Sequence, residues 1–437
     1  MNLRVYRFRN SLFLSLLIFL FIFFCFISSA QARDLTEEAQ QIFEKHNSSI
    51  VQIRVISLRS GEKAALGSGF FFEKDGIAAT NFHVVSKAVN HPSSYFVEYI
   101  ASDGAKGKME ILNVDPVHDL VILRADEPLD TYLKLGGLDL SKGEKIFSFG
   151  NPYDLGMIVV EGLYNGLLEH SRYRKILFSG SLNPGMSGGP AVFRDGSVLG
   201  VNVATAGNDI SFFVPVYYLK KLYQEVVSNN GKALAQNWED IIGARLAREQ
   251  EVFVERVINA KNWDKRQIGI VKVPAEISSE FKCWDRPADD KRSWIKDAYL
   301  TCSTEDQIFI SDSFHTGSVY FQYEWYQSKG YNPFRFYNLY ELYASNREYR
   351  FGNAERRDAG NFICDQNVVD VKGKSVKIEF CTRAYRAYKG LFDINFQISR
   401  IDMFNQGLVV NISLLGVTDK QSKNFLKKFI SEIEWEK

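Results

Sequence analysis

The sequence predicts a multidomain protein: an all-β unit first, a helical segment next, and an α+β unit at the end. Three observations carry this. At 437 residues the chain exceeds what one ordinary core accommodates. From Ser49 to Val214 it is a succession of short runs rich in Val, Ile and Phe, separated by glycine and acidic turns. Beyond Asn229 the texture changes, first to an apolar period near 3.6 and then to strict alternation.

The first 32 residues read as an export signal. Arg4, Arg7 and Arg9 form a positive start, Ser11 to Ile27 is almost wholly apolar, and Ala30-Gln31-Ala32 is a small-x-small cleavage site. The mature chain would begin at Arg33, exported to a periplasmic or extracellular space. Left uncleaved, residues 11–28 approach the length that spans a bilayer and would anchor the chain in a membrane instead. Hydrophobic content of 46% and charged content of 24% describe a globular protein. The net charge of +1 becomes −2 when the three leader arginines are removed, so no basic field points to nucleic acid.

Asp34 and Glu37 stand at helix-cap spacing, and Ala39, Ile42 and Phe43 share one face, which predicts a short amphipathic helix. Strands are predicted at Ile50 to Leu58, Gly69 to Phe72, Ile77 to Thr80, Tyr95 to Ile100, Met109 to Val114 and Leu120 to Arg124. A second series follows at Lys145 to Gly150, Met157 to Leu168, Lys175 to Ser179, Ala191 to Phe193, Val198 to Ala204 and Ser211 to Val214. Without intervening helical periods, such spacing means barrels or a sandwich and not a parallel α/β sheet. Tyr217 to Val227 closes the unit as a helix.

After the polar break at Asn229 to Gly231, Leu234, Trp238, Ile241, Ile242, Leu246, Phe253, Val257 and Ile258 predict a long helix or helix pair within Lys232 to Asn262. Its stripe is expected to pack on a neighbouring domain. The last stretch returns to strands in which Phe321, Tyr323 and Trp325, then Phe392 to Ile398, then Leu408 to Leu414 alternate with polar residues. Strict alternation predicts antiparallel strands with one buried and one wet face. Thr418 caps a final helix carrying Phe425, Leu426, Phe429, Ile430 and Ile433. The division is therefore 1–32 leader, 33–228 all-β domain, 229–265 helical linker and 266–437 α+β domain.

Apart from Cys25 in the leader, the cysteines are Cys283, Cys302, Cys364 and Cys381, an even number in an exported chain. Two disulfides follow, in one of about three connectivities. Pairing Cys283 with Cys302 and Cys364 with Cys381 encloses short loops that fit strand pairs.

The chemistry centres on Asn183-Pro184-Gly185-Met186-Ser187-Gly188-Gly189-Pro190, where glycine and proline leave a serine hydroxyl uncovered. Taken alone, this fits a hydrolase nucleophile elbow, a chymotrypsin-type protease loop, or a plain turn. A serine hydroxyl needs a histidine to take its proton and an acid to orient that histidine. Of the six histidines only His315 follows Ser187, so the hydrolase order of serine, acid, histidine fails. Upstream, His83 stands directly after a strand, and Asp119 stands at the start of a buried one. That is the order histidine, aspartate, serine.

Gly67-Ser68-Gly69-Phe70, Thr80-Asn81-Phe82-His83-Val84-Val85, Asp115 to Leu123, Phe149-Gly150-Asn151-Pro152 and Asn183 to Pro190 together resemble the trypsin-like protease domain of the HtrA/Deg family. The resemblance runs from about Ser49 to Leu222. It implies a chymotrypsin-like pair of six-stranded barrels with the active site between them, and a serine-type endopeptidase acting on protein or peptide substrates, in quality control or processing. It further implies His83 as general base, Asp119 as its orienting acid, Ser187 as nucleophile, and the N–H groups of Gly185 and Ser187 as oxyanion hole. The aromatic strands and long helix make the C-terminal domain a candidate for selecting substrates or partners, or for mediating assembly into a homo-oligomer. No cofactor or metal is expected.

Two residues depart from the family pattern: Met186 and Phe82 take the places of usual asparagines, and both are expected to line or abut the site. No PDZ domain is recognisable in the second half. In the chymotrypsin fold the floor of the specificity pocket lies six residues before the nucleophile, here Ser181, which offers no carboxylate to a basic side chain. Val201, Asn202, Val203 and Ala204 are expected to form a pocket wall, giving cleavage after small or medium aliphatic residues. The alternative to an enzyme is a binding or chaperone-like protein on a protease fold.

Overall fold

Two closed antiparallel barrels of six strands each form the first half of the protein. The computed structural model describes residues 37–127, 129–207, 209–286, 295–345 and 354–435. The leader and the Asp34 cap lie outside the described residues, among which no helix is long and apolar enough to cross a membrane.

Helix α1 runs through residues 37–46 and lays Ile42 against the core beneath both barrels. The first barrel comprises β1 (Ile50–Ser57), β2 (Lys63–Glu73), β3 (Ile77–Thr80), β4 (Tyr95–Ala101), β5 (Lys106–Asp115) and β6 (Leu120–Ala125), in the order β1-β2-β3-β6-β5-β4. Between β3 and β4 lies helix α2 (Phe82–Asn90), which the sequence pattern does not announce. At nine residues it makes about two and a half turns, too few for a helical period to stand out. The second barrel comprises β7 (Lys145–Gly150), β8 (Ile158–Leu167), β9 (Ile176–Ser179), β10 (Pro190–Val192), β11 (Val198–Gly207) and β12 (Ile210–Pro215), in the order β10-β11-β12-β9-β8-β7. Every strand predicted in this half is present. Helix α3 (Val216–Ser228) buries Leu219, Leu222 and Val226 against the shared core.

Helix α4 (Glu239–Ile258) is one helix whose stripe serves two cores. Ile242 and Leu246 join the core of the first barrel, whereas Phe253, Val254 and Val257 join that of the C-terminal sheet. Between them the buried Gln250 donates to the Leu415 carbonyl. The helix is therefore a joint clamped at both ends.

The C-terminal part contains β13 (Lys265–Ile268), β14 (Val271–Pro274), β15 (Phe281–Arg286), β16 (Ile295–Thr304), the hairpin of β17 (Ile308–Ser311) and β18 (Phe314–Thr316), and β19 (Val319–Ser328). Helix α5 (Pro333–Ser345), β20 (Ile363–Val371), β21 (Lys374–Ala384), β22 (Phe392–Arg400), β23 (Gln406–Val417), α6 (Asp419–Glu432) and β24 (Glu434–Trp435) follow. Seven strands form one antiparallel sheet in the order β15-β16-β19-β23-β22-β21-β20. The side chain of Thr418 accepts from the Gln421 amide and Gln421 answers in a capping box, which fixes the start of α6. Disulfides join Cys283 to Cys302 and Cys364 to Cys381, each pair directly opposite across neighbouring strands.

The expected wet face of this sheet is largely covered. Its central strand β23 is buried on both faces, because α5 lays Phe336 and Tyr340 over Val409 and Tyr326. Polar residues there pair with one another, as Ser413 Oγ does with Asn395 Oδ1 at 2.7 Å.

Candidate active site

The candidate triad lies where the barrels meet. Asn81 forms the N-cap of α2, so His83 falls in the first turn of that helix immediately after β3. Asp119 ends the turn between β5 and β6, with a φ of 56° that aspartate tolerates better than most residues. Its carboxylate takes two bonds from His83, from the backbone N–H at 2.8 Å and from Nδ1 at 2.7 Å. A carboxylate only accepts, so Nδ1 carries the proton and Nε2 is the basic nitrogen. Asn81 Nδ2 donates to the Asp119 carbonyl at 2.8 Å, closing the turn against the helix start.

Beneath it a second His–Asp pair braces the turn. His118 Nδ1 lies 2.7 Å from Asp115 Oδ2, and its ring stacks on Tyr218 at 3.8 Å between centroids. Burial works against the Asp115 charge, but His118 and Arg245 outweigh it and hold the carboxyl below its ordinary pKa.

Burial likewise disfavours protonated His83, yet Asp119, and more weakly Asp312 of the C-terminal hairpin, raise its pKa above the ordinary 6.5. The imidazole side chain is 30% exposed, open enough to meet a substrate.

Ser187 sits in the turn before β10 and is half-buried. Its carbonyl accepts from Ser68 N–H at 2.7 Å, which ties the serine loop of the second barrel to β2 of the first. Ser68 Oγ adds a donated bond to the Gly185 carbonyl at 2.7 Å and accepts from the Asn151 amide at 2.9 Å. Gly185 has a φ of +99°, and a Cβ there would stand 2.4 Å from the Asn151 carbonyl oxygen, so no other residue fits without rearrangement. Among the described residues no hydrogen bond joins Ser187 Oγ to His83 Nε2. In enzymes without substrate such catalytic bonds are often long.

The carbonyl before each amide sets its direction, because C=O and N–H of a trans peptide point opposite ways. The Pro184 carbonyl is held by Tyr153 N–H at 2.9 Å, so the Gly185 N–H points away from Tyr153. The Met186 carbonyl is held by Gly189 N–H at 3.1 Å and by buried Asn202 Nδ2 at 3.0 Å, so the Ser187 N–H points away from that core. Neither amide has a protein acceptor among the described residues.

Met186 and Phe82 abut Ser187 and His83 in the chain, with their side chains turned inward. Both are fully buried, Met186 with Ile146, Phe178 and Phe213 in the second barrel and Phe82 in the first. Apolar side chains at these positions follow the cores and not the site.

Along the expected pocket wall the side chains point inward. Val201 is fully buried in the core, and the side chain of Asn202 bonds Ser148 Oγ and the Phe149 and Met186 carbonyls behind the serine loop. Val203 is partly buried against the same core, and the side chain of Ala204 lies outside the described residues. Ser181, the expected pocket floor, is exposed and donates to the carboxylate of Asp209. That acid comes from the turn between β11 and β12, which spacing from the nucleophile does not reveal. Ser68 and Asn202 are the two supporting residues to which sequence reasoning assigned no such role. Flanking glycines in Gly67-Ser68-Gly69 were a signal for the first. The potential metal ligands brought together, Cys364, Glu379 and Cys381, include both sulfurs of a disulfide and so offer no thiolate.

Paired barrels with an acid, a histidine and a loop-borne serine in the cleft define the trypsin fold, and residues 67–201 match the family described as trypsin-like peptidase domain. Within that class the domain is similar to proteases named HTRA2 and DegP-like. It is 33% identical over 181 residues to the serine protease HTRA2, mitochondrial, of Drosophila grimshawi, covering 39% of this chain and 42% of the relative. It is 32% identical over 176 residues to the probable periplasmic serine endoprotease DegP-like of Bartonella henselae, covering 37% of this chain and 33% of the relative. The crystal structure of Deg5 aligns at 25% identity and a TM-score of 0.39, over 44% of this chain and 95% of that one. The chain thus spans less than half the length of either of those two relatives.

Proposed function

We propose that the protein is an exported serine endopeptidase that hydrolyses peptide bonds of other proteins through an acyl-enzyme, in quality control or processing. The observation that carries this is the His83–Asp119 pair, with Nδ1 bound to the carboxylate and Nε2 left basic, across the cleft from a serine on a glycine turn. Ser187 Oγ attacks the carbonyl carbon and His83 Nε2 takes its proton. The Gly185 and Ser187 N–H groups receive the oxyanion, and His83 returns the proton to the leaving amine. Water repeats the sequence to release the acid.

Export rests on the leader and is supported by the relative named periplasmic. The division at residues 33–228, 229–265 and 266–437 belongs to the same reading. The aliphatic cleavage preference has a competitor, since Asp209 beside Ser181 supplies a counter-charge for a basic side chain, and a peptide-library profile decides between them. A fluorophosphonate should label Ser187 and fail on Ser187→Ala. A folded wild-type protein that never labels, with or without substrate protein, favours the second reading, a binding protein on this fold.

A further inference from the structure

The C-terminal part of the chain reaches into the candidate cleft. In β17 the alternation of a strand sends Ile308 and Ile310, at 1% and 3% exposure, into the core of the first barrel. Phe309 between them is half-buried at the edge of that core. There its ring meets that of His83 edge to face, with centroids 6.0 Å apart and planes at 75°. Across the hairpin Phe309 stands in register with His315, whose ring packs on it at 5.2 Å. A peptide whose carbonyl reaches Ser187 must pass beside the His83 ring, hence within one side chain of Phe309.

We propose that Phe309, backed by His315, is a specificity-determining wall of the substrate cleft. It contacts the substrate side chain that lies against His83 next to the scissile bond and limits its size. This rests on the serine-peptidase reading above. The hairpin is anchored at several points, as a wall requires. Asn90 Nδ2 donates to the Ile310 carbonyl at 3.0 Å, and Lys87 lies 3.5 Å from Asp312, both from α2. From the sheet side Tyr385 packs edge-on to Phe314 at 4.8 Å, and its hydroxyl bonds Thr316 at 2.6 Å. Arg357 donates to Ser313 Oγ at 2.9 Å.

The test compares kcat/KM for peptides carrying Ala or Phe at each of the two residues flanking the scissile bond, with the full chain throughout. Phe309→Ala should raise the Phe-to-Ala ratio at one of these residues by about 10-fold or more, as removal of several methylene-sized groups from a pocket wall does. Phe309→Leu, which keeps the strand apolar, should give an intermediate ratio and guards against a folding failure of the alanine variant. Phe334→Ala, on an exposed ring of α5, should leave the ratio unmoved. A ratio within about 2-fold of wild type in both Phe309 variants overturns the inference, since a lost wall contact is worth more than that. A uniform gain on all peptides also overturns it, because the hairpin would then merely obstruct the cleft. These outcomes leave fluorophosphonate labelling intact, whereas a wild type that never labels removes the peptidase reading and this wall with it.

Discussion

Replacing Asn202 by alanine separates two accounts of the site, a pocket wall and a brace behind the serine loop. Asn202 is fully buried, and its amide serves the Phe149 carbonyl at 2.7 Å, the Met186 carbonyl at 3.0 Å and Ser148 Oγ at 2.8 Å. After substitution Met186 keeps its bond from Gly189, but the Phe149 and Ser148 oxygens lose this partner without access to water. At roughly 1–3 kcal/mol for each buried group left unpaired, the loss is about 4 kcal/mol. For a domain of this size that lowers Tm by on the order of 10 °C. Labelling of Ser187 should slow as well, because the carbonyl that aims the Ser187 N–H is then held at one point instead of two. Asn202→Asp, nearly the same shape, sets a carboxylate against two carbonyl oxygens and should be the more destabilising of the pair. Thermal unfolding, the labelling rate and a cleavage profile decide the matter. A Tm unchanged within about 1 °C, together with a new preference at the residue before the scissile bond, would refute the brace and restore the wall.

The raised pKa of His83 gives a pH prediction. The base must be neutral, so a pKa above 6.5 moves the acid limb of kcat/KM to higher pH, and activity falls as pH drops through that raised value. Asp312→Asn removes one of the two carboxylates that raise it and leaves Lys87 uncompensated, so the limb should move to lower pH, less so in high salt because Asp312 is exposed. No movement at low salt would show that Asp119 alone sets the value. A further prediction concerns Arg172, whose guanidinium is fully buried, bonds the Gly317 carbonyl and Gln250, and lies 3.8 Å over the Phe253 ring. Arg172→Met should cost about 3 kcal/mol in urea unfolding through the acceptors it strands, and a change under about 0.5 kcal/mol would count against a role in joining the two halves.

The candidate triad was legible because chemistry constrains residue type and chain order at once. His83 and Asp119 precede Ser187, and each stands at the edge of a run whose Val and Ile content already reads as strand. The barrels were legible for the same local reason. What pattern could not supply was direction. Met186 lies beside the half-buried Ser187, and a turn with a φ of +99° at Gly185 breaks the alternation that would otherwise tell inside from outside. Asp209 and Ser181 meet only because two loops fold together.

Phe309 is the sharper case, and it bears on how the halves of the chain work together. β17 is four residues long, and alternation over four residues cannot be told from a loop. Yet the C-terminal part joins the barrels at three separate places. Helix α4 shares its stripe between the two cores, Asp306 binds Lys175 and the backbone of Arg172 at the loop before β9, and the hairpin sets Phe309 and Asp312 beside His83. A linker that merely tethered a second domain would need none of these. Each contact ends on a different wall of the barrels, so the C-terminal part cannot shift as a body without disturbing the first barrel's core, the β8–β9 loop and the face of the histidine together. It is therefore packed as one body with the barrels, and under the proposal above substrate choice follows its place as the basicity of His83 does.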